Sequence, residues 1–71
     1  MSFTRSVYSK MVSEIEYDSD NQEMIIYWSN GKSTAYAGVP EDVADECSRA
    51  PSVGSYINSE IKGRYSFRNL G

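Results

Sequence analysis

The dipeptide Asn30-Gly31, set between Trp28-Ser29 and Lys32-Ser33, constrains this chain more than any other feature. Asn and Gly both accept positive φ, which a two-residue hairpin loop demands, so the pair predicts a tight reversal between antiparallel strands. The segment before it, Glu23 to Ser29, places Met24, Ile26 and Trp28 on one face and Ile25 and Tyr27 on the other. Apolar residues on both faces predict a central strand. Its partner, Lys32 to Ala37, puts Thr34 and Tyr36 on one face and Ser33, Ala35 and Ala37 on the other, where small side chains leave room for a helix or a ligand. Upstream, Met11, Ser13, Ile15 and Tyr17 alternate with Glu14 and Glu16, the period of a half-buried first strand. Asp18-Ser19-Asp20-Asn21 then predicts a turn; it lacks the Gly and the terminal Glu of a calcium loop.

Beyond the third strand the period changes. Pro40 suits a first helical position, and Glu41 and Asp42 suit the positive end of the helix dipole, so a helix is expected from Pro40 to about Arg49. Val43, Ala44, Cys47 and Ala50 form its apolar stripe, and Pro51 ends it. Ser52 is placed to cap a second helix presenting Val53, Tyr56, Ile57, Ile61 and Tyr65, with Gly63 as terminator. The reading is an α+β fold: a three-stranded antiparallel meander containing the Asn-Gly hairpin, followed by two short helices. Residues 1–71 form one domain, with residues 1–8 and 66–71 as loose ends or, for the tail, a short edge strand.

With 71 residues a second domain is excluded. The absence of His and the single Cys exclude a zinc cluster, a His-dependent triad and an internal disulfide. No cofactor is expected. Met24-Ile25-Ile26-Tyr27-Trp28, the longest apolar run, is too short to span a bilayer, and the polar start lacks the apolar stretch of a secretory signal, so a cytoplasmic protein is expected. Net charge is −3 but unevenly spread: +2 over residues 1–10, −8 over 11–46 and +3 over 47–71. That pattern disfavours a long polynucleotide and allows a compact anion.

Tyr17-Asp18, Asn30-Gly31, Tyr36, Gly38-Val39-Pro40, Ala50-Pro51-Ser52, Gly54, Tyr56, Asn58, Ile61 and Tyr65 follow one another at intervals that resemble the KTSC family. This small domain takes its name from the C-terminus of some lysyl-tRNA synthetases and also stands alone in bacteria and phages. The resemblance covers about residues 7 to 65 and implies a three-stranded sheet followed by two helices. It carries no catalytic residue. It hints at RNA as a partner and, for phage members, at interference with a host process such as a nucleotide signal. Ala44-Asp45 stands where the family has a larger apolar residue, which implies a less deeply packed first helix.

The candidate binding region is the start of the second helix. Ser52, Gly54 and Ser55 place hydroxyls and an open backbone in its first turn, where free N–H groups receive phosphate or carboxylate. Arg49 precedes it, Asn58 follows one turn on, and Lys62 and Arg64 could join from later turns, with Arg68 from the tail. Ser52 also has the plainer role of a cap, Gly54 that of a close-packing position, and Asn58 that of a brace for a turn. Among the aromatic residues Tyr8, Tyr27 and Trp28 are candidates for stacking on a base, although a central strand gives Tyr27 and Trp28 ordinary packing roles too. Cys47 reads as a core residue. A non-catalytic binding module for a nucleotide-type anion or single-stranded RNA is the leading expectation. The alternative is a protein interaction module or small inhibitor of a host protein, using acids such as Glu41, Asp42 and Asp45. A homo-oligomer, a dimer in the simplest case, is expected because a small core and open sheet edges favour self-association.

Overall fold

The computed structural model describes residues 1–71. Five strands, β1 (Phe3–Ser6), β2 (Val12–Asp18), β3 (Glu23–Trp28), β4 (Ser33–Tyr36) and β5 (Phe67–Asn69), make one antiparallel sheet in sequential order. Helices α1 (Glu41–Arg49) and α2 (Val53–Tyr56) follow β4, and α2 runs on into a π-helical turn at Ile57–Ile61. The expected three strands are the central ones. The expected loose start is an edge strand instead, Phe3 to Ser6 pairing with Tyr17 to Glu14, and the tail takes the edge-strand alternative, Phe67 to Asn69 pairing with Tyr36 to Thr34. Neither end has the long alternation that announces a strand, because an edge strand buries only part of one face. β5 is wholly exposed and is held by its backbone ladder.

The pleat sorts the side chains. Ile15, Ile26 and Thr34 stand across from one another, as do Tyr17, Met24 and Tyr36, and all six are buried. Val39, Ala44, Cys47, Val53, Ile57 and Ile61 close over this face from the helical side. The opposite face carries Glu14, Glu16, Ile25, Tyr27 and Ala35 and has no helix. The small residues of β4 therefore do not admit a helix, as the sequence suggested; the helices pack on the Thr34 and Tyr36 side. β3 is the middle strand of five, which accounts for its two apolar faces.

Three local irregularities shape the end of the sheet around the hairpin. A bulge between Val12 and Glu14 breaks the simple alternation of β2, so that Val12 is fully buried while Met11 is 59% exposed. Ser13 fills the irregularity by donating its hydroxyl to the Tyr27 carbonyl at 3.1 Å. The hairpin has three loop residues rather than two. Gly31 N–H donates to the Trp28 carbonyl at 3.1 Å and Trp28 N–H to the Lys32 carbonyl at 2.8 Å, and Gly31 alone in the loop has positive φ (+88°). That is a type I turn closed by a glycine bulge, with Asn30 Oδ1 accepting from Lys32 N–H at 3.0 Å.

The third is in the second helix, which ends earlier than its apolar stripe implies. A π-turn widens the spiral, Lys62 N–H donates to the Ile57 carbonyl at 2.9 Å, and Gly63 at φ +82° turns the chain out. Ile57 and Ile61 are both buried, and Tyr65 lies beyond the helix. In α1, Pro40 is the residue before the first turn rather than within it, with ψ 153°. The Val39-Pro40 turn is fixed by the buried Tyr17 hydroxyl, which donates to the Val39 carbonyl at 2.7 Å. No helix is long and apolar enough to cross a membrane.

Candidate functional site

The hairpin, the β1–β2 connection, the start of α2 and β5 meet around one side chain, Trp28. Three adjoining lobes of an open groove share Trp28 and Lys62. The largest encloses about 780 Å³ between Lys10, Met11, Asn30, Lys32, Thr34 and Asn69. The second, of about 500 Å³, runs from Tyr8 and Lys10 across to Ser52, Gly54, Ser55 and Asn58. The third, of about 350 Å³, lies between Thr34, Tyr36, Gly63, Phe67 and Asn69. Of the expected site residues, Tyr8, Trp28, Ser52, Gly54, Ser55, Asn58 and Lys62 are thus brought together. Arg49 and Arg64 are not: Arg49 Nε reaches Asp45 at 3.0 Å and Arg64 faces Glu60 at 3.8 Å. Tyr27 also falls outside, on the opposite face, donating to Glu16 Oε1 at 2.7 Å.

The side-chain charges in the groove are of one sign, with the terminal residue Gly71 also at the edge of the largest lobe. Lys10, Lys32 and Lys62 all line it, none pairs with an acid, and no Asp or Glu side chain lines any of the three lobes. These are all the lysines of the chain. By contrast each of the four arginines is matched to a carboxylate: Arg5 and Arg49 to Asp45, Arg64 to Glu60, Arg68 to Glu23. In a chain of net charge −3 this leaves a local cationic basin. Lys10 and Lys32 are the site residues that sequence reasoning missed. Lys10 falls in the +2 stretch and Lys32 inside the −8 stretch, and only the pairing of β2 with β3 brings them to the same rim.

The start of α2 serves mainly as a cap. Ser52 Oγ accepts from Ser55 N–H at 3.4 Å, and the two hydroxyls lie 3.0 Å apart. Gly54 is not required for close packing, because a Cβ there would meet only Met11 Sδ at 3.9 Å. Asn58 is exposed and braces no turn. Cys47 sits under the sheet at zero exposure, its thiol pushed up to about 12 by burial, which favours the protonated form.

A five-stranded antiparallel sheet with one helical layer and a groove at the hairpin end defines a small α+β domain. The chain belongs to the KTSC domain family, whose model matches residues 8–65. It is 30% identical over 60 residues to a lysine-tRNA ligase of Nostoc punctiforme and 32% identical over 59 residues to one of Trichormus variabilis. These alignments take in 84% and 83% of the chain but only 11% and 10% of the ligases, so the chain spans about a tenth of those relatives. The crystal structure of a KTSC domain protein from Yersinia pestis superposes with a TM-score of 0.90 at 30% identity, covering all of both chains.

Proposed function

We propose that this KTSC domain is a non-catalytic binding module whose groove holds a phosphate-bearing anion of nucleotide type, either free or within a short single-stranded RNA. The observation that carries this reading is the sorting of cations: every arginine is spent on a carboxylate, and every lysine faces the groove unpaired. Trp28 supplies a flat apolar surface among them, and Met11 and Tyr8 extend it at the rim. Lysine is a flexible point-charge donor suited to phosphate, and its density here is set by the fold rather than by composition. The names of the two ligase relatives contain a tRNA, which agrees with an RNA ligand. The groove offers no nucleophile with an adjacent base and no thiol.

Isothermal titration against nucleoside mono- and triphosphates, cyclic dinucleotides and single-stranded RNA tests this. Saturable heat with at least one of them, lost on raising the salt, is expected; no heat with any of them overturns the reading. A second reading, protein docking, is favoured by the helix-free face, where Glu14 and Glu16 flank Ile25 and Tyr27. Asp45 does not contribute to such a surface, since Arg5 and Arg49 already occupy it. A stoichiometric partner in affinity purification, lost in Glu14→Lys/Glu16→Lys, would establish that reading.

A further inference from the structure

The hydrogen bonds beside Trp28 run in one direction. Its indole N–H can only donate, and it donates to Thr34 Oγ1 at 2.9 Å. Thr34 is 7% exposed, and its hydroxyl in turn donates a hydrogen bond to Asn69 Oδ1 at 3.2 Å. Turning the Asn69 amide over would strand that buried hydroxyl proton without an acceptor, so the chain of donors sets the amide orientation. The consequence lies at its far end. Asn69 presents an NH₂ group, with two donors free of any protein acceptor, to the lobes that Trp28 and Lys62 also line.

We propose that Asn69 is the base-reading residue of the groove: an unpaired nucleobase lies against the Trp28 indole and accepts a hydrogen bond from Asn69 Nδ2 at a carbonyl oxygen or ring nitrogen. The flanking phosphates lie on Lys10, Lys32 and Lys62. This rests on the anion reading above and names what that anion must carry. A bare phosphate has no use for an indole face, whereas a heterocycle with acceptor atoms along its edge uses the face and the donor together. A base within a duplex has its pairing edge occupied and both faces stacked, so the ligand is a free nucleotide or a single strand. Thr34, 7% exposed, is a positioning residue: it acts by holding both Trp28 and Asn69 in place.

Trp28 is the only tryptophan, so its fluorescence reports the contact directly. Six-nucleotide uridine and adenosine RNAs, an abasic ribose-phosphate six-mer of equal charge, and free uridine monophosphate are titrated against the intact chain. The base-bearing six-mers are expected to quench Trp28 and to bind about tenfold more tightly than the abasic one. Asn69→Ala should lower base-bearing affinity about fivefold and leave abasic binding unchanged. Thr34→Val should reproduce that loss by freeing the amide to turn, and if this variant does not fold, Asn69→Ala remains decisive. Quenching by uridine monophosphate as strong as by the six-mer identifies a free nucleotide as the source; quenching by the six-mer alone identifies a strand. Equal binding of abasic and base-bearing six-mers without quenching overturns base reading but leaves anion binding intact. No binding of any probe overturns both.

Discussion

Under α1, cationic side chains reach across the fold and are neutralised; at the hairpin end they line a groove and are not. Arg5 on β1 lies 4.0 Å over the Phe3 ring and donates to Asp45 Oδ1 at 2.6 Å and Ser48 Oγ at 2.8 Å, tying the edge strand to the helix. Arg49 adds a second contact to the same carboxylate from one turn further along α1. The planar guanidinium makes several directed bonds at once, which suits it to such joints. Lys10, Lys32 and Lys62 make none, and their charge is left unpaired at the groove. Net charge therefore misdescribes this protein: an acidic total conceals one region in which charge holds the fold together and another in which it is left available.

The largest expected effect tests that division at the groove. Lys10→Glu/Lys32→Glu/Lys62→Glu should abolish anion binding, by at least about a hundredfold at low salt, while leaving the far-ultraviolet circular dichroism and thermal midpoint close to the parent. Loss of fold in this variant would mean that the lysines are structural after all and would dissolve the contrast. A next, smaller effect belongs to the closed end. Tyr17→Phe removes the donor to the Val39 carbonyl beneath the start of α1, and should cost about 1 to 3 kcal/mol of stability in urea unfolding without changing affinity. For a domain of this size each kcal/mol lowers the midpoint by about 4 to 8 °C.

Much of the closed end was legible in the chain. Ile15, Tyr17, Met24 and Ile26 fall on the apolar faces that strand alternation marks, and helical spacing of Ala44, Cys47, Val53, Ile57 and Ile61 supplies the covering layer; Val12 was not, because the bulge after it puts it in the core in place of Met11. The first edge strand was not legible and the last only as an alternative to a loose tail: Phe3 to Ser6 and Phe67 to Asn69 are stabilised by pairing with strands 8 to 35 residues away, a cause that lies outside their own segments. The hairpin was found, but its loop length was not, because Asn30 is the third residue of a type I turn that starts at Trp28 and only Gly31 needs the left-handed region. The groove divided in the same way. Ser52 to Asn58 were marked by helix-start chemistry, whereas Lys10, Lys32 and Asn69 come from three separate segments and are joined only by sheet register.

Two smaller predictions sharpen the closed side of the comparison. Cys47, with its thiol pushed up to about 12 by burial, should stay unreactive to a disulfide reagent at pH 8 in the native protein and react fully once urea unfolds it. Rapid native labelling would show that the helical layer opens readily. Gly54→Ala, at a helical position with space for a methyl group, should raise stability by about 0.4 to 1 kcal/mol through the unfolded state. An unchanged affinity for the uridine six-mer would place its phosphates on the lysines rather than on the backbone of α2.

The most modest effect is a pH dependence confined to the joint between β1 and α1. The Arg5 guanidinium, first, and that of Arg49, second, hold the Asp45 carboxyl below the usual carboxylate range. Its folded pKa is therefore lower than its unfolded one, so the native state binds fewer protons in the interval between them. The linked stability is fully present above the unfolded value, near pH 4, and is lost as the pH falls through the folded value. Arg5→Met retains an unbranched stem beside Phe3 while removing the main cause of the shift. This variant should lose stability relative to the parent at pH 7, and the difference should shrink as the pH is brought below 4, where the parent loses the same contribution. Urea unfolding of both proteins at pH 7, 5, 4 and 3 measures it. A difference that stays constant down to pH 3 would assign the role of Arg5 to its packing on Phe3 and its bond to Ser48 rather than to its charge.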